Sequence, residues 1–193
     1  MSILKKMVGD WIMSLKVKRA TGKATKIYKQ NFSIETAIWT GQYETDIEYV
    51  AKNLGLNVYI TNIKDHFQNT AYPKDISGFL LKDNDEYAIF VNENDSETRQ
   101  RFTIAHEIGH YILGHLKNEE YKISYRDELT SKGTDMHEIE ANAFAAELLM
   151  PEELISFAYR RTSDTSELAD WFNVSTDAIE IRLRNLGFGV IYG

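Results

Sequence analysis

Apolar residues fall along this chain in blocks with two different periods. In Asp46–Leu54 (DIEYVAKNL) they stand at Ile47, Val50, Ala51 and Leu54, the three- and four-residue steps of a helix, and Gly55 supplies a C-terminal stop. Asn57–Thr61 (NVYIT), Gly78–Lys82 and Tyr87–Val91 are short runs rich in β-branched and aromatic residues and predict strands. The last two are joined by the turn-prone Asp83-Asn84-Asp85. A longer block, SETRQRFTIAHEIGHYILGH, puts Phe102, Ala105, Gly109, Ile112 and Leu113 on one helical face, with Asn94 and Glu97 as a capping pair. After a polar stretch, Lys117–Thr134, the segment HEIEANAFAAELLM is rich in helix formers, and Pro151 marks the first position of a further helix. Thr165–Gly187 reads as helix, turn, helix, with Ser175 as the N-cap of the second. At the front, residues 1–30 predict an amphipathic helix around Trp11, Ile12 and Leu15, then a lysine-rich linker. The expected architecture is α+β: a small antiparallel sheet packed beside a helical core, with a helical C-terminus. The chain divides into a basic arm (1–30), a core domain (31–160) and a C-terminal helical extension (161–193).

Composition narrows the chemistry. A chain of 193 residues with 43% hydrophobic residues builds an ordinary globular core. It has no cysteine, so disulfides, thiolate metal sites and cysteine nucleophiles are excluded, and a reducing cytoplasm is the expected location. No apolar run reaches membrane-spanning length, and the first residues lack the apolar stretch and cleavage site of a signal peptide. The net charge of −7 is unevenly spread: residues 1–30 carry eight Lys/Arg and one acid, leaving 14 basic and 28 acidic residues beyond. An acidic body argues against broad nucleic-acid binding. The basic arm suits an acidic partner, nucleic acid or a membrane surface, or else a solvated, frayed terminus.

The chemistry concentrates at His106-Glu107-x-x-His110. Histidines four apart share one helix face, so two imidazoles converge on one ion, and the carboxylate beside them faces the water that the ion activates. Glu107 is therefore the candidate general base. Without thiolates, two imidazoles and a carboxylate suit zinc. A third ligand must come from the next helix, where His137, Glu138 and Glu140 compete. Glu138 and Glu140 lie about 200° apart around that helix, so both cannot serve. Glu138 pairs with Asn142 at i and i+4, which would let Asn142 hold a ligand's outer atom. His115, read as continuing the first helix, lies about 140° from His110 and reads as a surface or capping residue. His66 stands alone. Tyr125, Arg126 and Tyr159 are candidates for holding an oxyanion, with nothing to choose among them.

RFTIAHEIGHYILGH followed by EIEANAFAAELLMP closely resembles the ImmA/IrrE family of metallopeptidases, over about Asp46–Gly187. The resemblance implies a gluzincin-like zinc site in which His106, His110 and Glu138 bind the metal, Glu138 being the glutamate of the E-x-x-A-N segment. It further implies endopeptidase activity on a protein partner, typically a helix-turn-helix repressor of a mobile element or stress response. A non-proteolytic metal-binding regulator of a repressor or a toxin–antitoxin-like partner is the alternative. A DNA-associated role through the basic arm is a third. Thr165–Gly187 carries a net charge of −2, which favours packing or partner docking over DNA reading. On that count Arg182 and Arg184 are of little consequence, and Trp171 contributes to stability or recognition.

Overall fold

The structure is a computed structural model and describes residues 3–63, 76–84, 86–116, 121–125 and 136–189. Helix α1 (Ile3–Asn31) leads into the short helices α2 (Ile34–Thr40) and α3 (Ile47–Asn53). Strands β1 (Asn57–Thr61), β2 (Ile76–Asp83) and β3 (Glu86–Asn92) follow, then helix α4 (Glu97–Leu113) and strand β4 (Tyr121–Tyr125). Helices α5 (Met136–Leu149), α6 (Glu152–Tyr159), α7 (Thr165–Phe172) and α8 (Thr176–Asn185) complete the chain.

The α+β architecture is as expected, with one change of pairing in the sheet. Strand order is β1-β3-β2-β4. β2 pairs antiparallel with β3 and with β4, whereas β1 joins the edge of β3 in parallel, Asn57 opposite Ala88 through Thr61 opposite Asn92. A parallel neighbour requires the chain to cross over instead of turning back. Residues 64–75, which include His66, lie outside the described residues, as does Asp85 of the expected turn. Strand β4 falls inside the stretch read only as polar. The alternation Tyr121-x-Ile123-x-Tyr125 was its signal.

Local chemistry sets the helix boundaries. Asp46 caps α3 by accepting from Tyr49 N–H, and Ser175 caps α8 by accepting from Ala178 N–H. At α4 the cap is Ser96, which accepts from Arg99 N–H, and not Asn94. The Asn94 backbone N–H donates instead to the Asn92 side-chain oxygen at 3.0 Å, two residues before the cap. Pro151 sits just before the first residue of α6.

Helix α1 runs unbroken through the segment expected to be a linker. The apolar group around which the helix was expected faces solvent: Trp11 is 63% exposed, and Ile12 and Leu15 are also exposed. The buried face lies further on, at Ala20, Ala24 and Tyr28, four residues apart, where small side chains bring α1 against α5. Those three belong to the same hydrophobic cluster as Phe144 and Leu148 of α5, Leu168 and Phe172 of α7, and Ile179 and Leu183 of α8.

Helix α4 lies across the sheet and against α5, and two glycines mark how closely. A Cβ on Gly78 of β2 would stand 2.5 Å from Thr103 Cγ2 on α4 and 2.6 Å from the Phe90 carbonyl. A Cβ on Gly109 of α4 would stand 3.3 Å from Ala141 Cα and O on α5, and 3.2 Å from the Phe144 ring. Arg101 fastens the other end of α4. Its guanidinium donates to Thr45 O at 2.8 Å and to Asn173 O at 3.1 Å, and pairs with Glu44 at 2.7 Å.

Arg182 departs from its expected surface role. It is buried, ion-paired to Glu147 of α5, and donates to Met150 O at 3.0 Å. Arg184 is exposed and pairs with Glu180 at 3.6 Å. Trp171 packs its ring 5.5 Å from that of Tyr43.

Candidate metal centre

Helix α4 presents His106 and His110 on the face that meets α5, and α5 returns Glu138 from its first turn. The i, i+4 spacing sets the two imidazoles edge to face with ring centroids 4.6 Å apart and their Nε2 atoms 2.9 Å from each other. Glu138 Oε2 lies 3.1 Å from His106 Nε2, and Oε1 lies 3.4 Å from His110 Nε2. His106, Glu107 and His110 are fully buried and Glu138 almost so. Gly109 explains how α5 comes near enough: any side chain there would meet the Ala141 backbone, three residues beyond Glu138.

The arrangement fits a divalent cation. Ligands about 2.0–2.1 Å from a tetrahedral zinc stand about 3.3 Å from one another, and the contacts here, 2.9 Å between the two nitrogens and 3.1 and 3.4 Å from them to the two Glu138 oxygens, lie close to that spacing. The carboxylate is also ready in its charged form. Burial alone pushes the Glu138 carboxyl up, but hydrogen bonds with His106 and His110 and their charge hold it well below the usual carboxylate range. The outer nitrogen of His106, Nδ1, lies 2.9 Å from Asn142 Oδ1, one turn along from Glu138. An amide oxygen can only accept, so Nδ1 carries a proton, and Nε2 becomes a lone-pair donor once an ion displaces the proton it shares with Glu138. This is the contact expected of Asn142 from its spacing.

Glu140 and His137, the rivals of Glu138, do not reach this group. Both stand with His115 in a neighbouring one. Glu140 Oε2 lies 3.5 Å from His115 Nε2, and the His137 ring stacks on that of His115 with centroids 4.2 Å apart. His115 is the residue that the sequence misplaced. Helix α4 does not continue to it but ends at Leu113. Gly114 takes the left-handed conformation (φ 76°), and His115 N–H returns to His110 O at 3.0 Å. That reversal lays the His115 ring on His110, with their Nδ1 atoms 3.0 Å apart. Of the oxyanion candidates, Tyr159 donates to Gly189 O at 2.9 Å and so is occupied elsewhere. Arg126 lies outside the described residues, and Tyr125 is described only as part of β4.

A groove of about 520 Å³ bounded by Thr21 of α1, Phe102 of α4, Ile139 of α5 and Ile181 of α8 also reaches Asn142. A larger cavity of about 980 Å³ beside Arg101 and Trp171 touches none of the grouped histidines or glutamates. No helix among the described residues is long and apolar enough to cross a membrane.

Comparison with known proteins shows which family the chain belongs to. Residues 42–184 match the family described as the IrrE N-terminal-like domain. The chain is 32% identical over 115 residues to the protein named Metallopeptidase ImmA of Bacillus subtilis (strain 168), covering 58% of this chain and 64% of that protein. It is 30% identical over 125 residues to Uncharacterized immunity region protein 2 of Bacillus phage phi105, covering 64% of this chain and 70% of that one. The chain thus spans just under two thirds of the length of the Bacillus metallopeptidase. With a family match over most of its length, and both the H-E-x-x-H helix and the E-x-x-A-N helix inside the matched region, the chain belongs to the ImmA/IrrE family of metallopeptidases.

Proposed function

We propose that the protein is a zinc metalloendopeptidase whose substrate is a helix-turn-helix repressor. The observation that carries the reading is the convergence of two imidazole nitrogens and a carboxylate within 2.9–3.4 Å of one another in a buried site. His106, His110 and Glu138 hold the ion, and Asn142 fixes the tautomer and tilt of His106. Zinc bound there polarises a carbonyl and makes water acidic near neutral pH. Glu107, on the same turn as His106, takes the proton from the attacking water and returns it to the departing amine. The absence of cysteine and of any membrane-spanning helix among the described residues suits cytoplasmic work on a DNA-binding partner.

The repressor assignment rests on the relatives, one named a metallopeptidase and one named for a phage immunity region. It is tested by co-expressing the protein with a candidate repressor, sought first as the product of the neighbouring gene, and weighing the products by mass spectrometry. A fragment produced by the parent and absent with Glu107→Gln supports it. An intact repressor in the presence of metal-loaded parent refutes it. A repressor that is silenced equally by parent and Glu107→Gln makes the protein a non-proteolytic regulator.

A further inference from the structure

The group formed by His115, Glu140 and His137 adjoins the proposed ligands but shares no atom with them, and it has a coherent chemistry of its own. Its origin is the way α4 ends. Gly114 N–H bonds to Tyr111 O at 3.1 Å and His115 N–H to His110 O at 3.0 Å. This is the left-handed helix stop in which the residue after the glycine folds back on the residue three before the cap. Usually an apolar contact accompanies that fold; here it is one imidazole on another, Nδ1 to Nδ1 at 3.0 Å.

Protons can be counted along this line. If His110 gives its Nε2 lone pair to a metal, its only proton is on Nδ1 and points at His115 Nδ1. His115 must then accept at Nδ1 and carry its own proton on Nε2. That nitrogen faces Glu140 Oε2 at 3.5 Å, and both side chains are more than nine-tenths buried. Donor meets acceptor at each step: His110 to His115, His115 to Glu140. We infer that His115 is a positioning residue for the metal centre: with Glu140 behind it, it fixes the tautomer and orientation of His110, as Asn142 does for His106. The inference rests on the ligand set proposed above. The same count argues against His115, His137 and Glu140 as a second metal site while the first is filled. His115 would have to offer a lone pair at Nε2, and its proton would then meet that of His110.

The test uses the full chain. Zinc affinity is measured by competition with a chromophoric chelator, alongside the visible spectrum of the cobalt(II)-loaded protein and the thermal unfolding of the metal-free protein. His115→Phe keeps the ring and removes the acceptor. It should bind zinc about 10–100-fold more weakly, the range for losing such an outer partner. It should also shift the cobalt spectrum. His115→Gln restores an acceptor and should recover most of the affinity, and Glu140→Gln should fall between. A residue that merely packs would lower metal-free stability in both His115 variants and show no recovery with Gln. Parental affinity in His115→Phe, when His106→Ala has lost zinc, overturns the relay and leaves the ligand set standing. Parental affinity in His106→Ala overturns the ligand set and the relay with it. Two zinc ions per chain, reduced to one in His115→Phe, would make His115 a ligand and overturn the positioning role.

Discussion

Two glycines in two helices predict opposite outcomes for the same substitution. Gly22 lies in the exposed middle of α1, and a Cβ there would meet nothing within 4 Å. Gly22→Ala therefore gains helix propensity at no steric cost, a stabilisation of about 0.5–1 kcal/mol. Gly109→Ala gains the same propensity but drives its methyl to 3.2 Å from the Phe144 ring and 3.3 Å from Ala141 Cα and O. A ring can tilt, whereas a helix backbone can yield only by moving α5 a few tenths of an ångström. Overpacking of this kind costs about 1–3 kcal/mol. Set against a gain of about 1 kcal/mol, the net is a loss of about 0–2 kcal/mol. The two alanine variants should thus differ by about 2 kcal/mol. Urea unfolding of the metal-free proteins reads this as midpoints displaced in opposite directions from the parent, with unchanged slopes. Glu138 stands one turn from Ala141, so the same displacement should also weaken zinc binding in Gly109→Ala and leave it untouched in Gly22→Ala. A Gly109→Ala protein at least as stable as the Gly22→Ala protein, with parental metal affinity, would refute close helix packing as the reason for this glycine.

Further outcomes follow from the site and the core. Elemental analysis should find about one divalent metal per chain, most often zinc, and Glu107→Gln should retain it while repressor cleavage drops at least 100-fold. His106→Ala and Glu138→Ala should lose the metal on dialysis, whereas Glu140→Ala should keep close to one per chain; metal loss specific to Glu140→Ala would reassign the third ligand. Arg182→Met strands a buried carboxylate at Glu147 and should cost about 3–5 kcal/mol in chemical denaturation, largely recovered on adding Glu147→Leu. Burial pushes the Tyr28 hydroxyl up to about 12, so its contribution to stability is complete below pH 10 and is lost as pH rises from 10 to 12. Tyr28→Phe should flatten that part of the alkaline stability profile, and an unchanged profile would count against a buried phenol.

How much of this was legible in the sequence depended on how far apart the partners lie. His106 and His110 are four residues apart on a strongly periodic helix, so local geometry alone brings them together. Asn142 was legible in the same way, once Glu138 was fixed. Choosing among Glu138, His137 and Glu140 is a question about how two helices meet, and only the family resemblance, not local geometry, favours Glu138. His115 escaped because Gly114 was counted as one more helical residue, although a glycine after Leu113 is a stop signal; reading it so would have folded His115 back onto His110. Strand β1 was placed to the residue, but whether it pairs in parallel depends on a crossover that no local pattern encodes. The buried face of α1 carries no strong signal, because its largest apolar side chains are not the ones that pack: Ala20 and Ala24 are buried for being small. Arg182 was counted with the surface charges, and only its position opposite Glu147 shows otherwise.

The ion pair of Arg182 with Glu147 bears on how the protein is made. Glu147 also accepts from Thr25 at 2.8 Å, so one carboxylate on the helix that carries Glu138 is satisfied by residues from near the two ends of the chain. During synthesis, Thr25 leaves the ribosome long before α5, and Arg182 well after it. Until α8 emerges, the nascent α5 holds an acid that cannot be buried without its cation. The packing of α8 against α5 is therefore what takes Glu147 out of water, and Arg182 arrives on the same helix that covers it.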